Sequence, residues 1–261
     1  MMEYTYAIQY DPSDPQGHIA MDPRSDLQLM DLQVSTLFVC DANGRLRYIN
    51  EPGYAEAELD PAPRFFMGRT KEGNVWRFRH DLPNDLVHDL EQVCRSEPVA
   101  MNLAAVPMNA AGIRTVLHAH APITHEERGP AYWIPDSVQA PPAVVLISEA
   151  NAHLLAANFP WKLTSRSGFK SGPLAATIVR GSAVSICYCA RLTALAAEAG
   201  VETVEAARGH GYASAAVAGW TSAVRQRGLV PLYSTSWENV ASQGVARKLG
   251  MVRYGDDWWI T

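Results

Sequence analysis

The sequence predicts an α+β protein of two parts, on the basis of three observations. In the second half, strand-like runs of apolar residues alternate with segments of helical periodicity. One such run, residues 201–204, leads into a turn with two glycines and then into an Ala-rich helix. Before these elements, Pro141-Pro142 is the best candidate for a linker. We therefore expect a smaller α+β domain at residues 1–140 and a second domain at residues 141–261.

The composition restricts the class of protein. Of the 261 residues, 48% are hydrophobic and 19% are charged, which is ordinary for a soluble globular protein. No apolar stretch is long enough to span a membrane, and the N-terminus lacks the pattern of a signal peptide. The formal charge of −5 argues against a nucleic-acid-binding surface and weakly favours a cationic acceptor. The four cysteines have no C-x-x-C spacing, so we expect a cytoplasmic protein with reduced cysteines. Nothing in the sequence indicates the oligomeric state.

The first half contains signals for both strands and helices. Asn43-Gly44, between two apolar runs, predicts a hairpin turn. Leu86, Leu90 and Val93 share one side of a predicted helix that Pro98 ends. The other predicted elements of this half are strands at Tyr4–Gln9, Val75–Phe78 and Ala131–Ile134, a helical turn at Leu27–Gln33, and helices at Pro83–Glu97 and Ala110–His120.

The second half begins after the proline pair. The turn Arg180-Gly-Ser182 predicts a tight hairpin between two strands, and Gly250 is expected to end the last helix. The predicted strands are Ala143–Ile147, Leu174–Val179, Ala183–Ala190, 201–204, Leu232–Ser236, Met251–Tyr254 and Asp257–Thr261, and the predicted helices are Asn151–Asn158, 213–224 and 239–249.

The two-glycine turn is suited to binding phosphate. The first turn of a helix has backbone N–H groups without partners, and the helix dipole adds positive charge there. Glycine lets the backbone approach a ligand closely. A Rossmann fingerprint fits poorly, because Ser214 stands where the third glycine belongs and no acidic residue follows at the required distance. A P-loop is excluded by the absence of Gly-Lys-Ser/Thr.

Two motifs resemble those of one family. Arg208-x-x-Gly211-x-Ala213 resembles the [Gln/Arg]-x-x-Gly-x-[Gly/Ala] signature of the GNAT superfamily of acyl-CoA-dependent N-acyltransferases. The segment from Asn239 to Lys248-Leu-Gly is similar to that family's Asn-led helix. The resemblance implies, for the second half, a mixed and mostly antiparallel sheet flanked by helices, with acetyl-CoA as cosubstrate and no metal. The first half is similar to the N-terminal halves of uncharacterised bacterial GNAT-like proteins, which assigns it no role.

The resemblance also implies which residues bind acetyl-CoA. The end of the central strand would pair with the pantetheine arm and supply the oxyanion donor, and the glycine turn would hold the pyrophosphate. Asn239 and Ser242 would lie near the pantetheine and the sulfur, and Arg247 with Lys248 near the 3′-phosphate. The implied cofactor-binding residues are Thr203, Val204, Glu205, Arg208, Gly209, His210, Gly211, Tyr212, Ala213, Ser214, Asn239, Ser242 and Arg247.

Transfer to an amine requires a base, because free amines are protonated at neutral pH. Glu198 and Glu202 are the base candidates that we favour, and Glu205 is a third. Many family members have a Tyr seven residues after the Asn as the acid, but Ala246 stands there. Ser242 is the candidate that we name for this role. Tyr212, Tyr233 or water are alternatives, and a thiolate can also leave unprotonated.

The predicted function is acetyl transfer from acetyl-CoA to a primary amine of a small molecule. Two alternatives stay open at this point: a non-catalytic module that binds CoA or a partner, and an acetyltransferase acting on protein amines. We expect the acceptor in a cleft beside Trp237, Trp258 and Trp259. His118, His120 and His125 cluster in the sequence but lack a Cys or acidic partner at metal-site spacing, so no metal is expected.

Overall fold

The fold is organised around one mixed sheet that both halves of the chain share. The computed structural model describes residues 24–166 and 168–261, so the strand expected at Tyr4–Gln9 lies outside the described residues. A separate two-stranded hairpin precedes a nine-stranded sheet. The strands are β1 (Phe38–Cys40), β2 (Leu46–Ile49), β3 (Phe65–Thr70), β4 (Asn74–Phe78), β5 (Glu126–Trp133), β6 (Val144–Leu146), β7 (Leu174–Val179), β8 (Ser182–Leu192), β9 (Ala196–Thr203), β10 (Val230–Ser234) and β11 (Val252–Ile260).

The large sheet has the order β4-β3-β11-β5-β10-β9-β8-β7-β6. Among the described residues its neighbours pair antiparallel except β9 and β10, which are parallel. The helices are α1 (Asp26–Leu37), α2 (Asn84–Arg95), α3 (Ala110–His120), α4 (Trp161–Thr164), α5 (Tyr212–Arg225) and α6 (Val240–Lys248). The observed architecture is therefore a large mixed, mostly antiparallel sheet flanked by helices.

Helices cover both faces of the sheet. Consecutive residues of a strand point to opposite faces, and on β9 Ala196 packs in the core with α1 whereas Ala197 packs in the core with α5. On β3, Phe66 belongs to the α1 core, whereas Phe65 packs with α2 and α3. The helices α1 and α5 therefore lie on opposite faces, and β9 is buried between them.

A separate N-terminal domain is not confirmed, because strands of the two expected domains hydrogen-bond to each other. β5, from the first half, lies between β10 and β11, with Leu232 opposite Trp133 and Asp257 opposite Gly129. The segment around Pro141-Pro142 leads from this central strand to β6 at the edge of the sheet. The division of the chain at residue 140 stays a prediction.

Several predicted elements are confirmed, with small differences at their ends. The hairpin β1–β2, the helix α2 and the strand β4 lie where the sequence places them. Helix α3 and strand β7 have the predicted bounds. The expected helical turn at Leu27–Gln33 is the centre of the longer α1, whose N-cap Ser25 forms a capping box with Gln28.

Other elements differ from the prediction for physical reasons. The two short strands expected at the C-terminus are one strand, β11, since Asp256 and Asp257 are buried with hydrogen-bond partners and do not form a turn. The helix expected at Asn151–Asn158 is only a 3₁₀ turn at Ala152–Leu155. Strand β3 was not predicted, because it is buried on both faces and lacks alternation.

The remaining global features concern cysteines and membranes. Cys40, Cys94, Cys187 and Cys189 are free thiols, and the last three are buried. Within residues 24–166 and 168–261, the structure contains no helix that is long and apolar enough to cross a membrane.

Candidate active site

The candidate site lies where the parallel strands β9 and β10 part. Their pairing begins at Ala196 opposite Val230 and ends at Glu198 opposite Leu232. β9 continues to Thr203, and over this stretch β8 is its neighbour on the other side. Among the described residues, the second edge of β9 therefore has no strand partner beyond Glu198. Backbone groups on such an edge can hydrogen-bond to an extended ligand.

This edge lines a cleft of about 910 Å³. The cleft extends from Val201–Val204 on β9 across the glycine turn to the inner side of α6. Its size is within the range of small-molecule and cofactor sites, which is about 300–1,000 Å³. A long ligand placed here contacts the strand edge, a helix start and a second helix at once.

The glycine turn forms one end of the cleft. Gly209 and Gly211 have φ of +80° and +82°, a region that favours glycine. Gly211 is the N-cap of α5, and a glycine has no side chain that could accept hydrogen bonds from the N–H groups of the first helical turn. The Thr177 hydroxyl donates to the Tyr212 carbonyl at 3.1 Å and thereby ties this helix start to β7. The turn has the geometry of a phosphate site.

A lysine adds positive charge at this turn. A Cβ built on Gly211 would lie 2.2 Å from Nζ of Lys248, which comes from the last turn of α6. The ammonium group therefore lies directly beside the glycine turn. Together with the dipole of α5, it makes this end of the cleft attractive to an anion.

Asn239 starts α6 and also lines the cleft. Its Oδ1 accepts a hydrogen bond from the Ser242 backbone N–H at 3.0 Å, which makes it the N-cap of the helix. Only the amide oxygen takes part in this bond. The Asn239 amino group is therefore the part that suits a carbonyl of a bound ligand.

The structure brings most of the predicted site residues together. Eleven line the cleft: Glu202, Thr203, Val204, Arg208, Gly209, Gly211, Tyr212, Ala213, Ser214, Asn239 and Ser242. Four others are not among its lining residues: Glu198, Glu205, His210 and Arg247.

The residues outside the lining have identifiable positions. Glu205 is exposed in a 3₁₀ turn, and exposed His210 stacks on Tyr212 with ring centroids 5.6 Å apart. Arg247 is exposed on α6, and its neighbour Lys248 lines the cleft instead. Helical periodicity explains why Lys248 and not Arg247 lines the cleft, because positions 241, 244 and 248 share one face of α6.

Sequence reasoning missed lining residues on the other side of the cleft. Asn158 and Phe159 follow the 3₁₀ turn and contribute to the wall, as do Gly244 and Val245 of α6. For Gly244 and Val245 the spacing to Ala241 and Lys248 was a usable signal. No comparable signal marked Asn158 or Phe159, because the turn that positions them was expected to be a regular helix.

Glu198 occupies the point where the two strands part. Its Oε1 accepts hydrogen bonds from the Ser234 backbone N–H at 2.5 Å and the Ser234 hydroxyl at 2.8 Å. Its Oε2 is buried and has no hydrogen-bond partner among the described residues. Burial raises the pKa of Glu198 to about 7, although the Ser234 bonds and the Arg191 charge oppose this rise. A carboxyl group with such a pKa suits proton transfer at neutral pH.

Glu202, the second base candidate, is in a different environment. It lines the cleft, and its Oε1 accepts a hydrogen bond from the Tyr188 hydroxyl at 3.0 Å. Burial raises the pKa of Tyr188 well above its usual value, so its hydroxyl stays a donor. The Tyr188 ring lies against Gly200, where an added Cβ would approach it to 2.7 Å.

The candidate acids differ in whether they line the cleft. Ala246, where the family's Tyr is expected, is buried in the core beside α5. The Tyr233 hydroxyl donates to the Ser242 carbonyl at 3.3 Å, and burial raises its pKa. Tyr233 does not line the cleft, whereas Ser242 and Tyr212 do.

The expected tryptophan cleft is wrong. Trp258 is buried in the core of α2 and α3, and Trp259 packs against the α1 core on the opposite face. Trp237 donates to Asp256 at 2.7 Å. These side chains therefore do not share one cleft.

No metal-binding group is found in the described part of the chain. Within it, no three His, Cys, Asp or Glu side chains come together as ligands. The groups that the cleft itself presents are Glu202, the hydroxyls of Thr203, Tyr212, Ser214 and Ser242, and backbone N–H groups.

Comparison with known proteins gives structural likenesses only. No protein-family model matches the sequence, and no curated protein matches it. Similar solved structures include a GCN5-related N-acetyltransferase-like protein from Streptococcus suis 89/1591, with 15% identity, a TM-score of 0.46, and coverage of 77% of this chain and 85% of that one. An acetyltransferase of the GNAT family from Colwellia psychrerythraea has 13% identity, a TM-score of 0.43, and coverage of 80% and 84%. A GNAT-family protein from Novosphingobium aromaticivorans DSM 12444 has 16% identity, a TM-score of 0.43, and coverage of 53% and 66%. All three TM-scores are below one half, so these likenesses do not by themselves establish the family.

Proposed function

We propose that the protein is a GNAT-type N-acetyltransferase that transfers an acetyl group from acetyl-CoA to a primary amine of a small molecule. One observation carries the proposal: the parting of β9 and β10 opens into the same cleft as the uncapped glycine turn of α5. A strand edge and a phosphate-binding helix start are the two features that a pantetheine diphosphate needs.

The pyrophosphate and the pantetheine arm of acetyl-CoA would each meet suitable groups in the cleft. The pyrophosphate would accept hydrogen bonds from the N–H groups of residues 209–214, beside the Lys248 ammonium. The pantetheine arm would pair with the free edge of β9 at residues 201–203, near Asn239 and Ser242. Arg247 is exposed and would contribute only long-range charge near the 3′-phosphate.

Glu198 is the base in the proposed reaction, because its raised pKa suits proton transfer at neutral pH. In this scheme its carboxylate takes a proton from the acceptor ammonium through one water molecule, since Glu198 is buried and does not line the cleft, and the free amine attacks the thioester carbonyl. A backbone N–H on the parted edge of β9 stabilises the oxyanion that forms. The C–S bond then breaks, the thiolate leaves either unprotonated or with a proton from Ser242, Tyr212 or water, and the new amide nitrogen releases its second proton to water. Glu202 would act as the base only if the acceptor enters from the Tyr188 side.

A non-catalytic CoA-binding module is the second candidate, and the absence of a Tyr at Ala246 favours it. An acetyltransferase acting on protein amines differs from the first proposal only in its acceptor. A thiol-release assay with acetyl-CoA and a panel of small amines separates turnover from binding alone. A peptide with a free N-terminus and a lysine, added to the same panel, tests for protein amines.

The binding part of the proposal is tested by calorimetry with acetyl-CoA on Gly211→Val. Valine is strained at φ +82°, and its side chain would displace Lys248 from the turn. We expect affinity to fall at least about tenfold, which corresponds to one or two lost charge-assisted hydrogen bonds.

Gly228→Val is the matched control, because Gly228 also has positive φ (+73°) but no atom within 4 Å of an added Cβ, and it does not line the cleft. This variant should bind acetyl-CoA like the wild type. If folded Gly211→Val keeps wild-type affinity, acetyl-CoA does not use the glycine turn and the assignment is wrong.

A further inference from the structure

Strand β8 has a bulge beside Glu198. Cys189 lies opposite Ala199 of β9. At the next matched pair Arg191 lies opposite Glu198, and the register shifts between these two pairs. Ala190 is therefore an extra residue without a partner of its own in this register. Such a bulge re-aims the side chains that follow it, and bulges are over-represented next to active sites.

The bulge determines which face of the sheet Arg191 occupies. Residues two apart on a regular strand share a face. Cys189 packs in the core with α5, so a regular strand would turn Arg191 into that core. Instead Leu192 packs there, opposite Ala197. Arg191 therefore lies on the other face, which it shares with its partner Glu198.

Arg191 and Glu198 are close to each other on this face. Directly opposite residues of an antiparallel pair have Cβ atoms about 4.5–5.5 Å apart. Burial raises the pKa of Glu198, and the Ser234 bonds and the Arg191 charge oppose this rise. Burial lowers the pKa of Arg191, and Glu51 and Glu198 oppose that change. An arginine stays protonated at neutral pH, so its positive charge is present throughout the reaction.

The Glu198 carboxylate depends on such a charge. The residue is 4% exposed, and its Oε2 has no hydrogen-bond partner in the part of the chain that the structure describes. A buried carboxylate oxygen without a hydrogen bond is costly in its charged form, so burial alone favours the protonated acid. A protonated Glu198 cannot accept a proton. A positive charge nearby favours the ionised form again.

The other groups around Glu198 do not supply this charge. Ser234 of β10 donates two hydrogen bonds to Oε1 and is uncharged. Gln33 of α1, which bonds to two residues of β11, is also uncharged. Four acidic groups interact with Glu198, and burial raises the pKa of each: Tyr254 and Asp257 of β11, Tyr233 of β10 and Cys187 of β8. Arg191 is therefore the cation that acts most strongly on Glu198.

Glu51 limits the effect of Arg191. Both residues line a small cavity of about 210 Å³, together with Lys162. Glu51 acts on Arg191 more strongly than Glu198 does, and Lys162 interacts mainly with Glu202. The charge of Arg191 is thus shared between two carboxylates. An adjacent arginine shifts the pKa of a carboxyl group by about one to three pH units, and we expect an effect near the lower end of this range.

We propose that Arg191 is a positioning residue of the transferase, whose guanidinium, turned toward Glu198 by the bulge at Ala190, keeps the Glu198 carboxylate ionised and able to take the acceptor's proton. The proposal rests on the proposed acetyl transfer. The proton moves from the acceptor ammonium through one water molecule to Glu198, which becomes neutral, and Arg191 stays protonated. Arg191 does not line the cleft, so it acts on the reaction only through Glu198.

The experiment measures kcat/KM against pH for the full chain with an acceptor amine. Arg191→Gln removes the charge and keeps a polar side chain, so the rise of kcat/KM should move upward from pH 7 by about one unit. At pH 7 the ionised fraction of Glu198 would then fall from about one half to about one tenth, and kcat/KM would fall about fivefold. Arg191→Lys keeps the charge and should keep the rise near pH 7.

A second measurement does not depend on turnover. Carbon-13 NMR of the glutamate carboxyl groups, with Glu198 assigned from its absence in Glu198→Gln, gives the pKa of Glu198 in the protein alone. It should rise by about one unit in Arg191→Gln. Arg180→Gln is the matched control, because Arg180 is exposed at the other end of β8 and lines neither cavity. This variant should leave both measurements unchanged.

A further variant leaves Arg191 in place and covers the case in which Arg191→Gln does not fold. Glu51→Gln removes the carboxylate that competes for Arg191, so Arg191 should act more strongly on Glu198. The pKa of Glu198 and the rise of kcat/KM should then both move toward lower pH. This direction is opposite to that of Arg191→Gln, which general damage to the fold would not produce.

The outcomes separate this inference from the proposed function. If acetyl transfer occurs but Glu198 titrates as in the wild type in folded Arg191→Gln, or in Glu51→Gln where Arg191→Gln does not fold, the inference is wrong and the transferase stands. It is equally wrong if Arg191→Lys behaves like Arg191→Gln, or if the pKa moves and the rise of kcat/KM does not. If the pKa of Glu198 moves as expected and no amine is acetylated, the action of Arg191 on Glu198 is supported and the transferase is refuted.

Discussion

Replacement of Glu198 by Gln is the most direct test of the proposed chemistry. Glu198 is 4% exposed, with Oε1 bonded to Ser234 and Oε2 without a partner. Gln has the same shape, and its amide oxygen can accept the Ser234 bonds. The change therefore removes the base and leaves the packing intact. General-base catalysis contributes about 10²- to 10⁴-fold, so we expect kcat to fall by this factor with acetyl-CoA affinity unchanged.

The pH profile gives a second readout. Because the pKa of Glu198 is about 7, about half of the enzyme has the carboxylate at pH 7. The logarithm of kcat/KM, which reports the free enzyme, should rise with a slope of one below pH 7 and level off above it. In the Gln variant this limb should be absent. An ordinary glutamate, with a pKa of about 4.3, would give a flat profile from pH 6 upward.

Stability provides the control for folding. The pKa of Glu198 is raised in the folded state, so the native protein holds more protons than the unfolded chain between about pH 4.5 and 7. The free energy of unfolding therefore decreases as pH rises through this window, by roughly 3 kcal/mol for this group. Gln cannot ionise, so Glu198→Gln should be at least as stable as the wild type in urea at pH 8.

The refuting result is also clear. If Glu198→Gln keeps the wild-type rate and the limb near pH 7, Glu198 is not the base. The same measurements on Glu202→Gln then decide the alternative. If only Glu202→Gln loses the pH-dependent rise in rate, Glu202 is the base. If both variants keep this rise, the base is Glu205 or a chain of water molecules.

Two further predictions concern the scaffold. Asn239→Ala removes the N-cap of α6 and should lower the free energy of unfolding, measured in urea, by about 1 kcal/mol. Calorimetry should also show weaker binding of acetyl-CoA. An unchanged urea midpoint would contradict the capping role. Deletion of residues 1–140 removes β5, and β10 and β11 then lose the strand that pairs with both of them. The remaining fragment should therefore be insoluble or lack a cooperative thermal transition. A soluble fragment with wild-type affinity for acetyl-CoA would contradict this prediction.

The local parts of the site were predictable because local chemistry fixes them. Gly209 and Gly211 adopt the positive φ that only glycine takes easily, and Asn239 caps its helix as Asn does elsewhere. The lining residues between Glu202 and Ser214 are close in the sequence to the two glycines, so the glycine motif located them as well. A motif tied to backbone geometry can be read without knowing the rest of the fold.

The non-local parts were not predictable in the same way. The insertion of β5 between β10 and β11 depends on pairing across about a hundred residues, which no short pattern encodes. The break expected between the strands Met251–Tyr254 and Asp257–Thr261 is absent, because Arg69, Arg128 and Gln33 bond Asp256 and Asp257 inside the sheet. A small cavity of about 210 Å³ is lined by Glu51, Lys162 and Arg191, which come from distant segments, and each alone is an ordinary charged residue in the sequence.

The pairing of β5 explains why the cleft opens where it does. β10 pairs with β9 only as far as Leu232, but with β5 as far as Ser234, opposite Ala131. The end of β10 is thus held by a strand from the first half of the chain and not by β9. Because β9 and β10 part at this point, the edge of β9 is left for a ligand, and Ser234 stays in place to bind Glu198. The first half of the chain therefore shapes the cleft through β5, although none of its residues from 24 onward lines the cleft.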